Sequence, residues 1–309
     1  MSDVTVRAEI PAEPGSPKPD PILRVEQVRR TFGGLVAVDV DHLEIQRGVI
    51  TGLIGPNGAG KTTFFNLMTG FDRANQGTWS FDGVDLTGVS PHRAAQRGMV
   101  RTFQLTKALS KLTVLENMKL GATDQVGETL WRAPLRWLWR DQEQEIVERA
   151  DELLARFQLD HMRDEYAGTL SGGQRKLLEM ARALMVNPTL VMLDEPMAGV
   201  NPALTQSLLD HVRSLPGMGM TVVFVEHDMD VVSNISDWVV CMAEGAIIAE
   251  GPPQSVTSNP AVIDAYLGEQ HDDPSFQEPP DGGQGDQAPP DGGHGDRVAP
   301  ADNDGASDA

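Results

Sequence analysis

Cysteine is nearly absent: Cys241 is the single one in 309 residues. One thiol excludes an intramolecular disulfide and any multi-cysteine metal cluster, and it fits a reducing compartment. Basic residues are also scarce, 25 Lys and Arg against 45 Asp and Glu, which leaves a net charge of −20. That balance argues against duplex nucleic acid as a ligand, because phosphate backbones attract basic faces. It does not exclude a local, glycine-lined phosphate site. Long apolar runs are missing as well. The longest, Trp238–Ala243, has six residues, whereas a membrane-spanning helix needs roughly 20. The opening MSDVTVRAEI lacks the basic start and apolar stretch of a secretory signal, so the chain is expected to stay in the cytosol.

The charge is unevenly spread. Residues 1–20 hold four prolines and a net −2, and read as a disordered N-terminal extension. From Glu269 to the end there are 11 acids and one base, with six Pro, seven Gly and the lone aromatic Phe276. Such a tail cannot bury enough surface to offset chain entropy, so 269–309 is expected to be disordered. It contains a short duplication, PPDGGQGDQA at 279–288 and PPDGGHGDRV at 289–298, too small for a stacked repeat. Only −8 remains for residues 21–268. With 40% apolar residues and 31 glycines overall, that part has ample material for a core.

Three segments in it read as buried parallel strands: Val49–Ile54, Leu190–Leu193 and Thr221–Val225. Each is short, apolar and not alternating, as expected where both sheet faces are covered. Each runs into polar residues: a glycine-rich loop, Asp194–Glu195, and Glu226–His227. Ligands collect at the carboxyl ends of strands in open parallel sheets. Leu23–Val28 and Val38–Ile45 alternate more and suggest a small antiparallel sheet. The stretch from about 105 to 185 is helix-rich, with an acidic run from Asp141 to Glu152.

The first buried strand leads into Gly55-Pro56-Asn57-Gly58-Ala59-Gly60-Lys61-Thr62-Thr63, a full G-x-x-x-x-G-K-[ST] match. Glycines let backbone N–H groups turn inward around a phosphate, and the following helix points its positive end at the anion. Lys61 is placed to bridge β- and γ-phosphates, Thr62 to ligate Mg²⁺, and Thr63 to reach the α-phosphate. The second strand supplies Asp194 for the Mg²⁺ shell and Glu195 to orient or deprotonate a water. Together these define only a P-loop NTPase, with Mg²⁺ beside the bound phosphates.

A further motif narrows the class. Leu170-Ser171-Gly172-Gly173-Gln174 precedes a helix expected over Arg175–Met185 and stands between the phosphate loop and LDEP. A Ser hydroxyl and small residues at a helix N-terminus suit a second γ-phosphate cradle. On these motifs the chain resembles the ABC-type ATPases over residues 22–268. The resemblance implies an α/β fold: a P-loop core with a parallel sheet, a small antiparallel β subdomain and a helical subdomain at about 105–185. It also implies that Ser171, Gly172, Gly173 and Gln174 face the ATP of a second ATPase subunit, so that hydrolysis requires a dimer. By the same resemblance Phe32 stacks on adenine, although a core Phe is the plain alternative. Gln104, in RTFQ, touches Mg²⁺ and senses the permease; His227, in VEHDM, contacts the γ-phosphate. Asn201, in AGVNP, stands where most of the superfamily has Asp, which leaves its interface role open.

Within that superfamily FGGLVAV, RTFQ, LTVLENMKLGA, AGVNP, VEHDM and NPAVIDAYLGE are most similar to ATP-binding subunits of branched-chain (hydrophobic) amino-acid importers. Urea or short-amide importers and the lipopolysaccharide exporter are related alternatives. The likeness implies two transmembrane permease subunits, an extracytoplasmic substrate-binding protein, and a place on the cytoplasmic membrane face. A soluble ABC ATPase acting on DNA or ribosomes fits poorly with one Walker pair and no zinc or coiled-coil insertion. A non-hydrolysing scaffold predicts a degraded Lys61, Glu195 or His227, and all three are in place. The segment Trp131–Arg140 places arginines at i, i+4 spacing on one edge and apolar residues on another. It fits both a helix packed on its own domain and one touching the membrane surface or a permease. Truncation after Gln270 is expected to leave ATPase activity intact, measured as steady-state phosphate release from the shortened chain.

Overall fold

The computed structural model describes residues 10–102, 110–122, 140–200 and 202–272. Gln104, Asn201 and the Trp131–Trp139 stretch lie outside the described residues, as do residues 273–309; the tail expected to be disordered from 269 instead begins as the last turn of the helix Pro260–Asp272. The chain opens with two long strands, β1 (Pro21–Phe32) and β2 (Leu35–Gln46), paired antiparallel. With β4 (Gln76–Phe81) and β5 (Val84–Asp85) they form a four-stranded sheet in the order β2-β1-β4-β5. The alternation at Leu23–Val28 and Val38–Ile45 therefore marked the antiparallel sheet.

The second sheet contains β3 (Ile50–Ile54), β6 (Met99–Arg101), β7 (Leu190–Asp194), β8 (Thr221–Val225), β9 (Trp238–Ala243) and β10 (Ala246–Gly251). Its order is β10-β9-β3-β8-β7-β6, parallel except for β10. The three apolar segments read as buried strands are β3, β8 and β7, adjacent at its centre. One register row crosses the sheet: Asp194 pairs with Val225, Val225 with Leu53, and Leu53 with Val240. The loops after β3, β8 and β7 therefore leave at one level. Residue alternation splits these strands between two cores. Val222 and Phe224 face a core shared with helices, while Val223 and Val225 face the side of the antiparallel sheet.

Helix α1 (Lys61–Met68) lies in this second core, burying Phe64, Phe65, Leu67 and Met68. The other core takes its apolar faces from α3 (Val114–Lys119), α4 (Arg140–Arg156), α5 (Gly172–Ala183), α6 (Pro202–Ser214), α7 (Met229–Ile235) and α8 (Pro253–Thr257). A short α2 (Pro91–Gln96) precedes β6, and α9 (Pro260–Asp272) closes the described chain. Helix α5 begins at Gly172, not at Arg175 as expected, because Ser171 and Gln174 form a capping box. Ser171 Oγ accepts from Gln174 N at 3.2 Å and Gln174 Oε1 from Ser171 N at 2.9 Å. The S-x-x-Q spacing already carried that signal. Among the described residues no helix is long and apolar enough to cross a membrane.

Residues 10–20, expected to belong to a disordered extension, are ordered against the fold. Ser16 N donates to Glu250 Oε1 at 2.7 Å, and Lys18 N donates to Glu44 Oε2 at 2.6 Å. Lys18 Nζ reaches Glu250 at 3.2 Å and the Ser16 carbonyl at 2.9 Å, and sits 4.5 Å from the Trp238 ring centroid. The Lys18–Glu250 side chains are 1% and 0% exposed. Glu44 belongs to β2 and Glu250 to β10, so this strap ties the two sheets. Proline content and low hydropathy concealed it, because its holding partners lie 26 and 232 residues away. Burial pulls the Lys18 ammonium below its ordinary pKa, while Glu250 and Glu44 oppose the shift. Breaking a buried pair on one side leaves an uncompensated charge. Lys18→Ala is therefore expected to cost about 3–5 kcal/mol of stability, measured by urea unfolding.

Candidate functional site

The phosphate loop owes its path to two glycines. Gly55 has φ +146° and Gly60 φ +98°. A Cβ at Gly55 would run into the Met242 carbonyl, and one at Gly60 into the Ala37 carbonyl. No other residue type lets the loop pass so close to both backbones. Gly60 then caps α1, whose N-terminus opens on a cavity of about 690 Å³. Asn57, Gly58, Ala59, Gly60, Lys61, Thr62 and Thr63 line it, together with Phe32, Glu195 and His227. Residues 32, 57–63, 195 and 227, distant in sequence, thus share one concave site. Lys61 is 6% exposed, and its Nζ donates to the carbonyls of Gly55 at 2.5 Å and Pro56 at 2.8 Å.

Phe32 ends β1 with 48% of its surface exposed, so it is not the core residue that the plain reading allowed. The Arg30 guanidinium stacks 4.3 Å from its ring centroid. Glu195 follows β7 in a left-handed conformation with φ +47°, and its amide donates to Val225 O at 3.1 Å. This turn aims the carboxylate across to β8, where Glu195 Oε1 lies 2.9 Å from His227 Nε2. A carboxylate only accepts, so Nε2 is the donor. Asp194 is held differently: Arg101 Nη2 donates to its Oδ2 at 2.5 Å, while Arg101 Nη1 donates to Asn66 Oδ1 at 2.5 Å. Arg101 thus links β6, β7 and α1 beneath the loop.

Ser171, Gly172, Gly173 and Gln174 do not line this cavity. Ser171 and Gly172 are exposed, and a Cβ at Gly173 would strike the Leu204 side chain. Among the described residues no three His, Cys, Asp or Glu side chains form a self-contained metal cluster. Thr62 lines the cavity, while Asp194, at the end of β7, is not among its lining residues; both offer oxygen atoms alone. That donor set suits a hard divalent cation that keeps waters and substrate phosphates in its shell.

Residues 38–198 match the family model for ABC transporters, and residues 246–272 match that for branched-chain amino acid ATP-binding cassette transporters. The chain belongs to the ABC transporter family. Relatives of this cassette include the probable branched-chain amino acid transport ATP-binding protein LivG of Archaeoglobus fulgidus. It is 43% identical over 249 residues, which cover 81% of this chain and 96% of that protein. The high-affinity branched-chain amino acid transport ATP-binding protein BraF of Pseudomonas aeruginosa is 39% identical over 254 residues, 81% and 98% of the two chains. A solved ATP-binding cassette of an ABC transporter in its ADP conformation matches with a TM-score of 0.71 at 40% identity. The match covers 81% of this chain and 99% of that one. This cassette is an ATP-binding subunit, and such subunits work with membrane permease components.

Two residues beside the site escaped the sequence reading as functional candidates. Arg101 stands in the RTFQ motif with Gln104, and no local signal marks it, because its partner Asp194 lies 93 residues away in the chain. Glu226 follows β8 as one of the polar residues at the strand's carboxyl end, with no role assigned to it by the sequence. It is 6% exposed, and its Oε1 accepts from Met197 N at 2.9 Å, in the loop after Glu195. Burial raises its carboxyl pKa, while the Met197 and His227 amides oppose that shift. One carboxylate therefore ties the backbones that carry Glu195 and His227. Glu226→Ala leaves the buried Met197 amide without this acceptor, and it is expected to lower turnover about tenfold while ATP affinity stays near wild type. Steady-state hydrolysis and nucleotide titration on the same sample check this.

Proposed function

We propose that this cassette hydrolyses ATP with Mg²⁺ to drive import of branched-chain or other hydrophobic amino acids. The carrying observation is the cavity that joins the phosphate loop, Phe32, Glu195 and His227. Phe32 offers a ring face for adenine. The loop amides and the start of α1 hold the phosphates, and Lys61 exchanges its carbonyl partners for phosphate oxygens. Thr62, Asp194 and Gln104 would hold Mg²⁺, which neutralises phosphate charge when bound. Arg101 keeps Asp194 oriented for that task.

Glu195 takes a proton from the attacking water, and the donor at His227 Nε2 fixes the carboxylate that receives it. Ser171, Gly172, Gly173 and Gln174 stand outside this cavity, in keeping with service to the nucleotide of a second cassette. Two cassettes, two permease subunits and an extracytoplasmic binding protein make up the proposed complex, with the cassettes on the cytoplasmic face. The family match at 246–272 and the names of the relatives support the amino-acid cargo over urea or lipopolysaccharide.

Removal of a general base typically costs about 10²–10⁴ in rate. Glu195→Gln is accordingly expected to nearly silence phosphate release while retaining ATP, whereas Lys61→Ala loses nucleotide affinity. Normal hydrolysis by the Gln variant would refute the base assignment. Uptake of labelled leucine by the reconstituted complex tests the cargo.

A further inference from the structure

We infer that Tyr266, on α9, is a positioning residue for the ATP site: its hydroxyl holds the first amide of the phosphate loop. The chain has two tyrosines. Tyr266 Oη accepts a hydrogen bond from Gly55 N at 2.8 Å, across 211 residues of sequence. The inference rests on reading Gly55–Thr63 as the loop that holds the phosphates.

The need for this contact follows from the sheet. The last paired residues of β3 are Leu53 with Val225 on one side and Ile54 with Cys241 on the other. Gly55 is the first residue beyond both ladders, buried and locked at φ +146° by the Met242 carbonyl. Its N–H can no longer be matched by a neighbouring strand, and a buried donor needs an acceptor. Tyr266 supplies one. On the other side of the same residue, Gly55 O accepts from Lys61 Nζ. Gly55 is thus fixed by two groups, of which Lys61 is the one that phosphate competes for. The Tyr266 hydroxyl keeps the loop entry in place when the ammonium changes partners.

Helix α9 is built to deliver that hydroxyl. Val262 is 2% exposed in the helical core, and Tyr266, one turn later, packs on the same core while partly exposed. Ile263 and Leu267 face solvent at 44% and 51%. The helix thus seats one edge in the core and brings Tyr266 to the loop. The stretch matching the branched-chain cassette model includes this helix, which joins the group's distinctive C-terminal element to the nucleotide cradle.

Tyr266→Phe removes the oxygen and keeps the ring. In the full-length chain, losing one bond to a buried loop amide predicts about a five- to tenfold rise in both the ATP KM and the Kd for a fluorescent, non-hydrolysed ATP analogue. The kcat should stay within about twofold, because the loop serves ground and transition states alike. Hydrogen exchange at the Gly55 amide should accelerate, and Leu267→Ala, on the exposed edge of the same helix, should change none of these. Unchanged Kd and unchanged Gly55 exchange in Tyr266→Phe would overturn the inference, as would a lowered melting temperature with ATP affinity intact. Lys61→Ala, titrated in parallel, separates the two readings. If it too binds the analogue normally, the phosphate-loop reading fails; if it alone loses affinity, only the role of Tyr266 fails.

Discussion

The site depends on the register of three parallel strands. Leu53, Val225 and Asp194 share one hydrogen-bonded row, so the residues just beyond them emerge at the same height. Gly55 and His227 lie two positions past their row members, and Glu195 lies one past Asp194. A slip of one residue in β7 would turn Asp194 to the other face of the sheet and displace Glu195 from His227. The register is held because both faces are buried: alternate residues of β8 belong to different cores, and a slip would exchange them. Packing that stabilises the sheet therefore also sets the chemistry at its edge.

Around that edge the side chains that would do chemistry are held by others that would not. Arg101 steadies Asp194, Glu226 ties the loops bearing Glu195 and His227, and the Gly55 and Pro56 carbonyls occupy Lys61. These supports come from β6, the β8 loop and the phosphate loop, so the site draws on most of the parallel sheet. The strap at residues 13–18 belongs to the same logic at a larger scale. It joins Glu44 on one sheet to Glu250 on the other through buried charge-assisted bonds, and partner loss there is costly because the interior cannot solvate a lone charge.

Local motifs were legible because their physics is local. A glycine loop before a helix, acids after an apolar strand and a capping serine each act within about ten residues. The phosphate loop, Asp194, Glu195 and the antiparallel strands could be read from pattern and spacing, and His227 from the family resemblance. Phe32 could be named, yet its exposure could not be known until β1 was placed beside the loop. The strap, Arg101, Glu226 and Tyr266 were opaque as functional groups because each gains its meaning from a partner brought close by folding. Lys18 to Glu250 and Gly55 to Tyr266 span more than two hundred residues.

The sequence by itself determined the fold class, the ATP-binding character and the family, since those follow from short stretches whose backbone needs admit few residue types. Its net charge of −20 told little about the site, because much of that charge lies in the tail, whereas the site motif is a short run of glycines with one lysine. Tertiary structure alone decided which carboxylate meets His227, how Asp194 is oriented and what holds the loop at its entry. Those outcomes depend on strand order and register, and order and register are set by burying two cores at once.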